Sequence, residues 1–360
     1  MTLHFSDIKT PFYIHLLRPF AEVYALITDL RNWLYDKRYF KSVTFDLPII
    51  SVGNLSVGGT GKSPHIEYLI SLLQNEFRVG VLSRGYGRKT REYIAVQSSS
   101  TAEEVGDEPL MFKQKFPNAA VAVAIDRIQG IPLLLTDFPE TDVVLLDDAF
   151  QHRAIHAGLT ILLTDFSRLF TDDFLLPAGR LRERKENYKR ADIIIVTKCP
   201  QEISSEERTR FREKIKPHSH QRVYFSSIEY GTRYPLFSPR EQLPENILVV
   251  TGVANGKPLE DFLKTQFANV YSQHYNDHHT FDRYDLESIR TAFNDIGAEK
   301  TIVITTEKDA ARLLAHRDWF EQNNIPLYVQ PIRVKLLGED EKSFRDDVLV
   351  FLNHFSASVQ

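Results

Sequence analysis

The chain has 360 residues, 42% of them apolar and 26% charged, a composition that suits a folded globular protein with room for two ordinary domains. A net charge of -4 argues against a bulk nucleic-acid binder. The single cysteine, Cys199, excludes an internal disulfide and a cysteine metal cluster, and reads as a small core residue at a strand end.

The opening MTLHFSDIKTP carries Asp7 and lacks the charged-then-apolar order of a secretory signal, so none is expected. No run supplies the roughly 20 mostly apolar residues of a membrane span. The longest stretch without Asp, Glu, Lys or Arg, 47–61, is full of Gly, Ser and Asn. Between 12 and 40, however, Leu16, Phe20, Val23, Ile27, Leu30 and Leu34 recur at three and four, which places them on one helical face. Arg18, Arg31, Lys37, Arg38 and Lys41 add basic charge. The pattern fits first a helix packed on its own domain, with one lying in a membrane interface as the alternative.

Short, nearly continuous apolar runs follow at 47–52, 79–83, 121–125, 143–146, 159–163 and 193–197, separated by helical patterns. Such runs suit parallel strands covered on both faces. The expected fold is therefore α/β, a P-loop NTPase-like, doubly wound and mainly parallel sheet. A charged helix at 201–221 closes this part. A β-like stretch at 223–229 and a loop rich in Pro, Arg and Tyr come next. A second α/β pattern has strands at 247–251, 302–305, 327–331 and 334–337, and the C-terminal residues read as a helix fraying into a tail. The expected division is an N-terminal amphipathic helix (1–45), a P-loop core (46–221) and a smaller α/β domain (222–360) in which 223–229 and 327–337 form hinge strands.

The strand at 47–52 runs into SVGNLSVGGTGKSP. In a phosphate-binding loop, backbone N–H groups wrap phosphate oxygens at a helix N-terminus, and glycines permit the close approach. Ser56, Val57, Gly58, Gly59, Thr60, Gly61, Lys62 and Ser63 form the candidate loop. Lys62 reaches the outer phosphates, Ser63 ligates Mg²⁺, and Pro64 suits the first helical turn. Ser56 stands where the usual pattern has its first glycine. The strand TDVVLLDD ends in Asp147 and Asp148, carboxylates suited to the metal's shell. A GTPase is a rival reading, because IIIVTKCP is similar to a guanine-reading segment, but Pro200 occupies the position of the aspartate that pairs with guanine. A nucleotide-binding switch without transfer is another.

The ordered motifs GNLSVGGTGKSP, LSRGYGR, GDEP, DDAFQHR, LPAGRLRE, TGVANGKP, NDHH and TTEKDA together resemble the tetraacyldisaccharide 4'-kinase family. Ala149 and Arg180 depart from its more usual Gly and Pro. The resemblance implies transfer of the ATP γ-phosphoryl group to the 4'-hydroxyl of an acylated glucosamine disaccharide 1-phosphate, giving a bis-phosphorylated lipid A precursor. It implies action at the cytoplasmic face of the bacterial inner membrane, anchored by the N-terminal helix; a monomer that binds no nucleic acid is expected beside it. It places Asp107 as the base paired with His278, one from the core and one from the smaller domain, so that domain closure assembles them. Arg182 is expected at phosphate oxygens. Glu183 assists the metal with Ser63, Asp147 and Asp148, or orients Arg182. Arg84, Arg88 and Arg127 are weaker candidates for substrate or phosphate contact, and TTEKDA receives no chemistry.

Overall fold

The computed structural model describes residues 12–240 and 244–359. Residues 1–11, read above as lacking a secretory signal, lie outside them. The chain forms two compact units that interleave along the sequence. The first comprises 1–66, 143–227 and 335–360, and the second 67–142 and 228–334. A single cut near 221 thus does not describe the division. The segment 67–142 groups with 228–334 because its helix Asp107–Lys115 is tied by side chains to the helix Glu307–Leu313, as described below.

In the first unit, Arg222–Tyr230, Ile193–Thr197, Leu159–Asp165, Ile49–Asn54 and Val143–Asp147 lie side by side in that order, all parallel. Every residue of the Ile49–Asn54, Val143–Asp147 and Ile193–Thr197 strands is buried, which is why their sequences are continuous apolar runs. One core cluster includes Leu55, Phe150, Leu162, Ile194 and Phe225. Cys199 sits within it, and burial pushes its thiol up to about 12. The charged helix is shorter than expected, Ser205–Ile215. Ser204 and Glu207 form a reciprocal cap at its start, and Lys216 ends it in a left-handed conformation.

In the second unit, Val79–Ser83 and Ala120–Val123 pair in parallel, with the short Ile94–Ala95 antiparallel at the edge. A separate five-stranded sheet has the order Asn269–His274, Asn246–Thr251, Thr301–Thr306, Leu327–Gln330, Tyr234–Phe237, and its last strand is antiparallel. Two of these strands escaped the sequence reading. Asn269–His274 is a largely exposed edge strand, so it shows no apolar run. Tyr234–Phe237 includes Pro235, which an edge position tolerates. Leu327–Gln330 pairs with it, whereas Ile332–Leu336 is the neighbour of Arg222–Tyr230.

The helix Phe12–Asp36 reverses the usual arrangement. Its inward face is small and polar. Ile14, Ala21 and Ala25 are buried, with Ile14 and Ala21 against Ala178, and the Tyr24 hydroxyl donates to the Arg182 carbonyl at 2.7 Å. Its outward face is apolar, with Leu16, Phe20, Val23, Leu26, Ile27, Leu30 and Trp33 all exposed. The helix is therefore packed on its own unit and still presents a continuous apolar stripe to solvent. No helix among the described residues is long and apolar enough to cross a membrane.

Gly53 marks a close approach of two chain segments. A Cβ there would lie 2.7 Å from both the backbone nitrogen and the Cβ of Phe150. Gly53→Ala forces Phe150 away from the strand end and is expected to cost about 1–3 kcal/mol of stability, read as a lowered urea midpoint.

Candidate active site

The first unit builds a glycine-rich turn from the end of Ile49–Asn54 to the helix Lys62–Leu73. Gly58 and Gly61 have φ of 106° and 87°, a region that residues with a Cβ avoid. Ser56 instead forms an isolated antiparallel bridge to Leu181. That is an extended conformation any residue adopts, so the missing glycine costs the loop nothing. The loop is stitched on several sides. Val57 N donates to the Arg180 carbonyl at 2.8 Å, Asn54 Nδ2 to Thr60 Oγ1 at 2.7 Å, and Thr197 Oγ1 to the Thr60 carbonyl at 2.9 Å. Lys198 bonds both the Gly59 carbonyl and Asp165. His65 locks the first helical turn. Its Nδ1–H donates to the Gly61 carbonyl at 2.7 Å, so its Nε2 accepts from the Ser226 hydroxyl at 3.0 Å. Burial drives its pKa down to about 4, which keeps the ring neutral.

The strand Val143–Asp147 lies beside Ile49–Asn54, with Asp147 in register with Val52. Asp147 is buried, and Asp148 turns the chain with a φ of 46°. The Asp148 carboxylate lies 3.6 Å from Lys62 Nζ and accepts from Arg182 Nη1 at 2.9 and 3.0 Å. Lys62, Asp148 and Arg182 therefore meet, with Arg182 on a carboxylate where the sequence leads us to expect phosphate oxygens.

Glu183 does not join them. One oxygen accepts from Asn32 at 2.9 Å, and the other from Arg190 at 2.6 Å and Gln151 at 3.2 Å. Through Gln151, whose Oε1 accepts from Arg182 Nη1 at 3.2 Å, it reaches Arg182 indirectly, and through Asn32 it braces the N-terminal helix. Arg88 is likewise committed locally, to the Glu92 and Arg91 carbonyls and Thr90. Arg127 is buried, and Arg84 is exposed.

Among the described residues no three His, Cys, Asp or Glu side chains cluster as a metal cage. The Ser63 hydroxyl with the Asp147 and Asp148 carboxylates is a hard oxygen donor set. It suits Mg²⁺, which typically binds one or two carboxylates together with substrate phosphates.

The second unit holds the other candidate pair. Gly106, at φ 89°, starts the helix Asp107–Lys115 and sets Asp107 at its first position. His278, itself at φ 58°, donates from Nδ1 to Asp107 Oδ2 at 3.1 Å. The two side chains belong to one compact unit and are already hydrogen-bonded, so closure of separate domains is not what joins them. His279 turns away and bonds Asp285 at 2.7 Å in the cap of the next helix.

TTEKDA, left without chemistry in the sequence, organises this pair. Arg312 Nε lies 3.4 Å from Asp107 Oδ2, an ion pair without hydrogen-bond geometry. The guanidinium is fixed by the His279 carbonyl at 2.7 Å, the Gly252 carbonyl at 3.2 Å and Asp309 at 2.9 Å. Asp309, fully buried, also accepts from Gly252 N at 3.0 Å and Thr306 Oγ1 at 2.7 Å. Lys308 pairs with Glu108, and at the far end of the same helix Lys115 bridges Glu67 at 2.6 Å and Glu307 at 2.8 Å. Arg312 is the residue the sequence reading missed. Its only signal was the three-residue step from Asp309, which sets both on one helical face.

The hydrogen bond to Asp107 raises the His278 pKa, partly opposed by burial, while Asp277 adds to the rise and Lys308 works against it. A histidine raised above its ordinary 6.5 has its pairing stabilisation fully present below 6.5 and loses it as pH climbs through the folded value. An NMR titration of the ring is expected to place His278 above 6.5, and Asp107→Asn to bring it back toward that value.

The tetraacyldisaccharide-1-P 4'-kinase family model matches residues 13–353. A tetraacyldisaccharide 4'-kinase of Parabacteroides distasonis is 45% identical over 346 residues, covering 92% of each chain. One from Flavobacterium johnsoniae is 46% identical over 302 residues, covering 83% of this chain and 87% of its own. The crystal structure of LpxK from Aquifex aeolicus in complex with ATP superposes with a TM-score of 0.73 at 28% identity, covering 94% of this chain and 99% of that one. The chain belongs to the tetraacyldisaccharide 4'-kinase family.

Proposed function

We propose that residues 56–63 hold the triphosphate of ATP and that the Asp107–His278 pair takes the proton of the accepting hydroxyl. The activity itself follows from the family: the chain phosphorylates the 4'-hydroxyl of tetraacyldisaccharide 1-phosphate with ATP, in lipid A biosynthesis. In the transfer the 4'-oxygen bonds to the γ-phosphorus, the bond to the β,γ-bridging oxygen breaks, and ADP leaves with that electron pair.

Phosphoryl transfer asks mainly for positioning and charge neutralisation. Lys62 and the loop amides hold phosphate oxygens, and Arg182 exchanges part of its contact with Asp148 for them. Ser63, Asp147 and Asp148 would hold Mg²⁺, which when bound supplies further charge neutralisation on the phosphates. The observation that carries the base assignment is the 3.1 Å bond from His278 to an Asp107 already braced by Arg312. The carboxylate accepts the hydroxyl proton, and the imidazole orients it and shares that proton.

The labelled γ-phosphate of ATP, followed into tetraacyldisaccharide 1-phosphate in detergent micelles, tests the roles. Lys62→Ala is expected to lower kcat about 10²–10³-fold, and Asp107→Ala about 10²–10⁴-fold with little change in KM for ATP. An Asp107→Ala protein with wild-type kcat removes the base assignment and leaves the kinase intact.

The exposed stripe of the Phe12–Asp36 helix supports a chain lying on a membrane surface, apolar side chains in the acyl boundary and Arg18, Arg31 and Lys37 near lipid phosphates; we read that surface as the cytoplasmic face of the bacterial inner membrane and the chain as a monomer. Leu26→Glu with Ile27→Glu is expected to weaken binding to anionic vesicles at least about tenfold, since each side chain loses roughly 1.5–3 kcal/mol of burial. Flotation with vesicles measures this, and unchanged flotation contradicts it.

A further inference from the structure

A cavity of about 570 Å³ opens in the second unit beside the segment 230–233, the end of the helix Lys257–Lys264 and the strand Leu327–Gln330. Three arginines line it, Arg233, Arg240 and Arg333, and among the described residues no Asp or Glu does. Arg233 is the informative one. Its Nη1 is buried with no hydrogen-bond partner among the described residues, and its guanidinium lies 4.6 Å from the centre of the Phe267 ring. Burial lowers its pKa. Arg233 itself is half-buried, but a buried N–H without a partner is costly, whereas most buried polar groups are hydrogen-bonded. Arg333 stands close by, with Nη2 and Nε 3.5 and 3.6 Å from where a Cβ on Gly231 would sit. Glycine at 231 leaves that space open. The opposite walls are apolar, with Tyr230 and Phe262 stacked at 3.9 Å and Ile302 beside them.

The cavity shares no lining residue with Asp107, His278 or Arg312, and nothing in the phosphoryl transfer uses it. Its volume lies in the range of small-molecule sites. Clustered guanidiniums with nearby aromatic faces select a phosphate carried on an organic group, because the planar fork matches phosphate geometry and the rings cover the remainder.

We infer that this cavity is a second binding site of the chain, taking a small phosphomonoester whose phosphate is held by Arg233 and Arg333 and whose organic part lies on the Tyr230–Phe262 wall. Calorimetry on the full chain carrying Lys62→Ala, which weakens phosphate binding at the glycine-rich loop, is the test. The probes are inorganic phosphate, ribose 5-phosphate and AMP. Saturable binding of ribose 5-phosphate or AMP, weakened at least about tenfold by Arg233→Gln and partly restored by Arg233→Lys, is the expected result. Tighter binding of AMP than of ribose 5-phosphate identifies the aromatic wall as the base-covering surface, and equal binding identifies the sugar phosphate as the recognised part. With Lys62 intact, Arg233→Gln is expected to keep kcat and KM for ATP within about twofold. Arg333→Gln, at an exposed position, carries the same test if Arg233→Gln fails to fold. Binding of inorganic phosphate alone, no saturable binding, or affinity unchanged by either substitution overturns the inference.

Discussion

The buried Asp309–Arg312 pair is the constraint on which the Asp107–His278 pair depends. Asp309 is fully buried, and burial raises its pKa against the pull of Arg312, Thr306 and Gly252 N. A charge in that position persists because its oxygens are met by a guanidinium, a hydroxyl and a backbone N–H. Removing one partner of such a pair generally costs about 3–5 kcal/mol, since the other is left buried and unmatched. The same guanidinium lies beside Asp107, and its other nitrogens grip the carbonyls of Gly252 and His279, the latter next to His278 in sequence. One side chain thereby fixes the carboxylate and the chain segment that carries its histidine. The helix Glu307–Leu313 reinforces this by meeting the Asp107–Lys115 helix through ion pairs at both ends.

The first unit solves a different problem. A loop that is to hold phosphate, as proposed for residues 56–63, must be rigid, yet its amides have to remain free. Bonds from Asn54, Thr197, Lys198 and the 180–182 segment hold the loop from its flanks, and His65 holds the helix start from within. Two cations share one carboxylate, Asp148, so the local charge is partly balanced by a group that phosphate oxygens can replace. The N-terminal helix joins the same region. Asn32 bonds Glu183, Tyr24 bonds the Arg182 carbonyl, and Arg184 pairs with Asp29 and Glu22. A polar inner face lets the helix dock while its apolar residues point outward.

The parallel strands were legible because burial on both faces writes an unbroken apolar run, as in Val143–Asp147 and Ile193–Thr197. The glycine-rich loop was legible from spacing, and the dyad from the family motifs GDEP and NDHH. Exposed edges were not. Asn269–His274 alternates weakly and carries no hydrophobic signal. The interleaved units escaped because each joins segments far apart in sequence, such as 67–142 with 228–334, which no local pattern reports. The partners of Glu183 were hidden for a related reason: a carboxylate near a metal motif looks the same in sequence whatever it faces, here Arg190, Gln151 and Asn32. Arg312 and its link to Asp107 spans 205 residues, a distance no local pattern reports.

The pH dependence of kcat for phosphate transfer, compared between wild type and His278→Gln, tests most directly whether Asp107 and His278 work as one base. Two coupled groups titrate as a pair, so the acid limb of the wild-type profile reports the pair rather than either residue. The account expects that limb above about 6.5, the ordinary histidine value, and expects His278→Gln to move it down toward the carboxylate range. A limb that stays in place when His278 is replaced contradicts the shared-proton base.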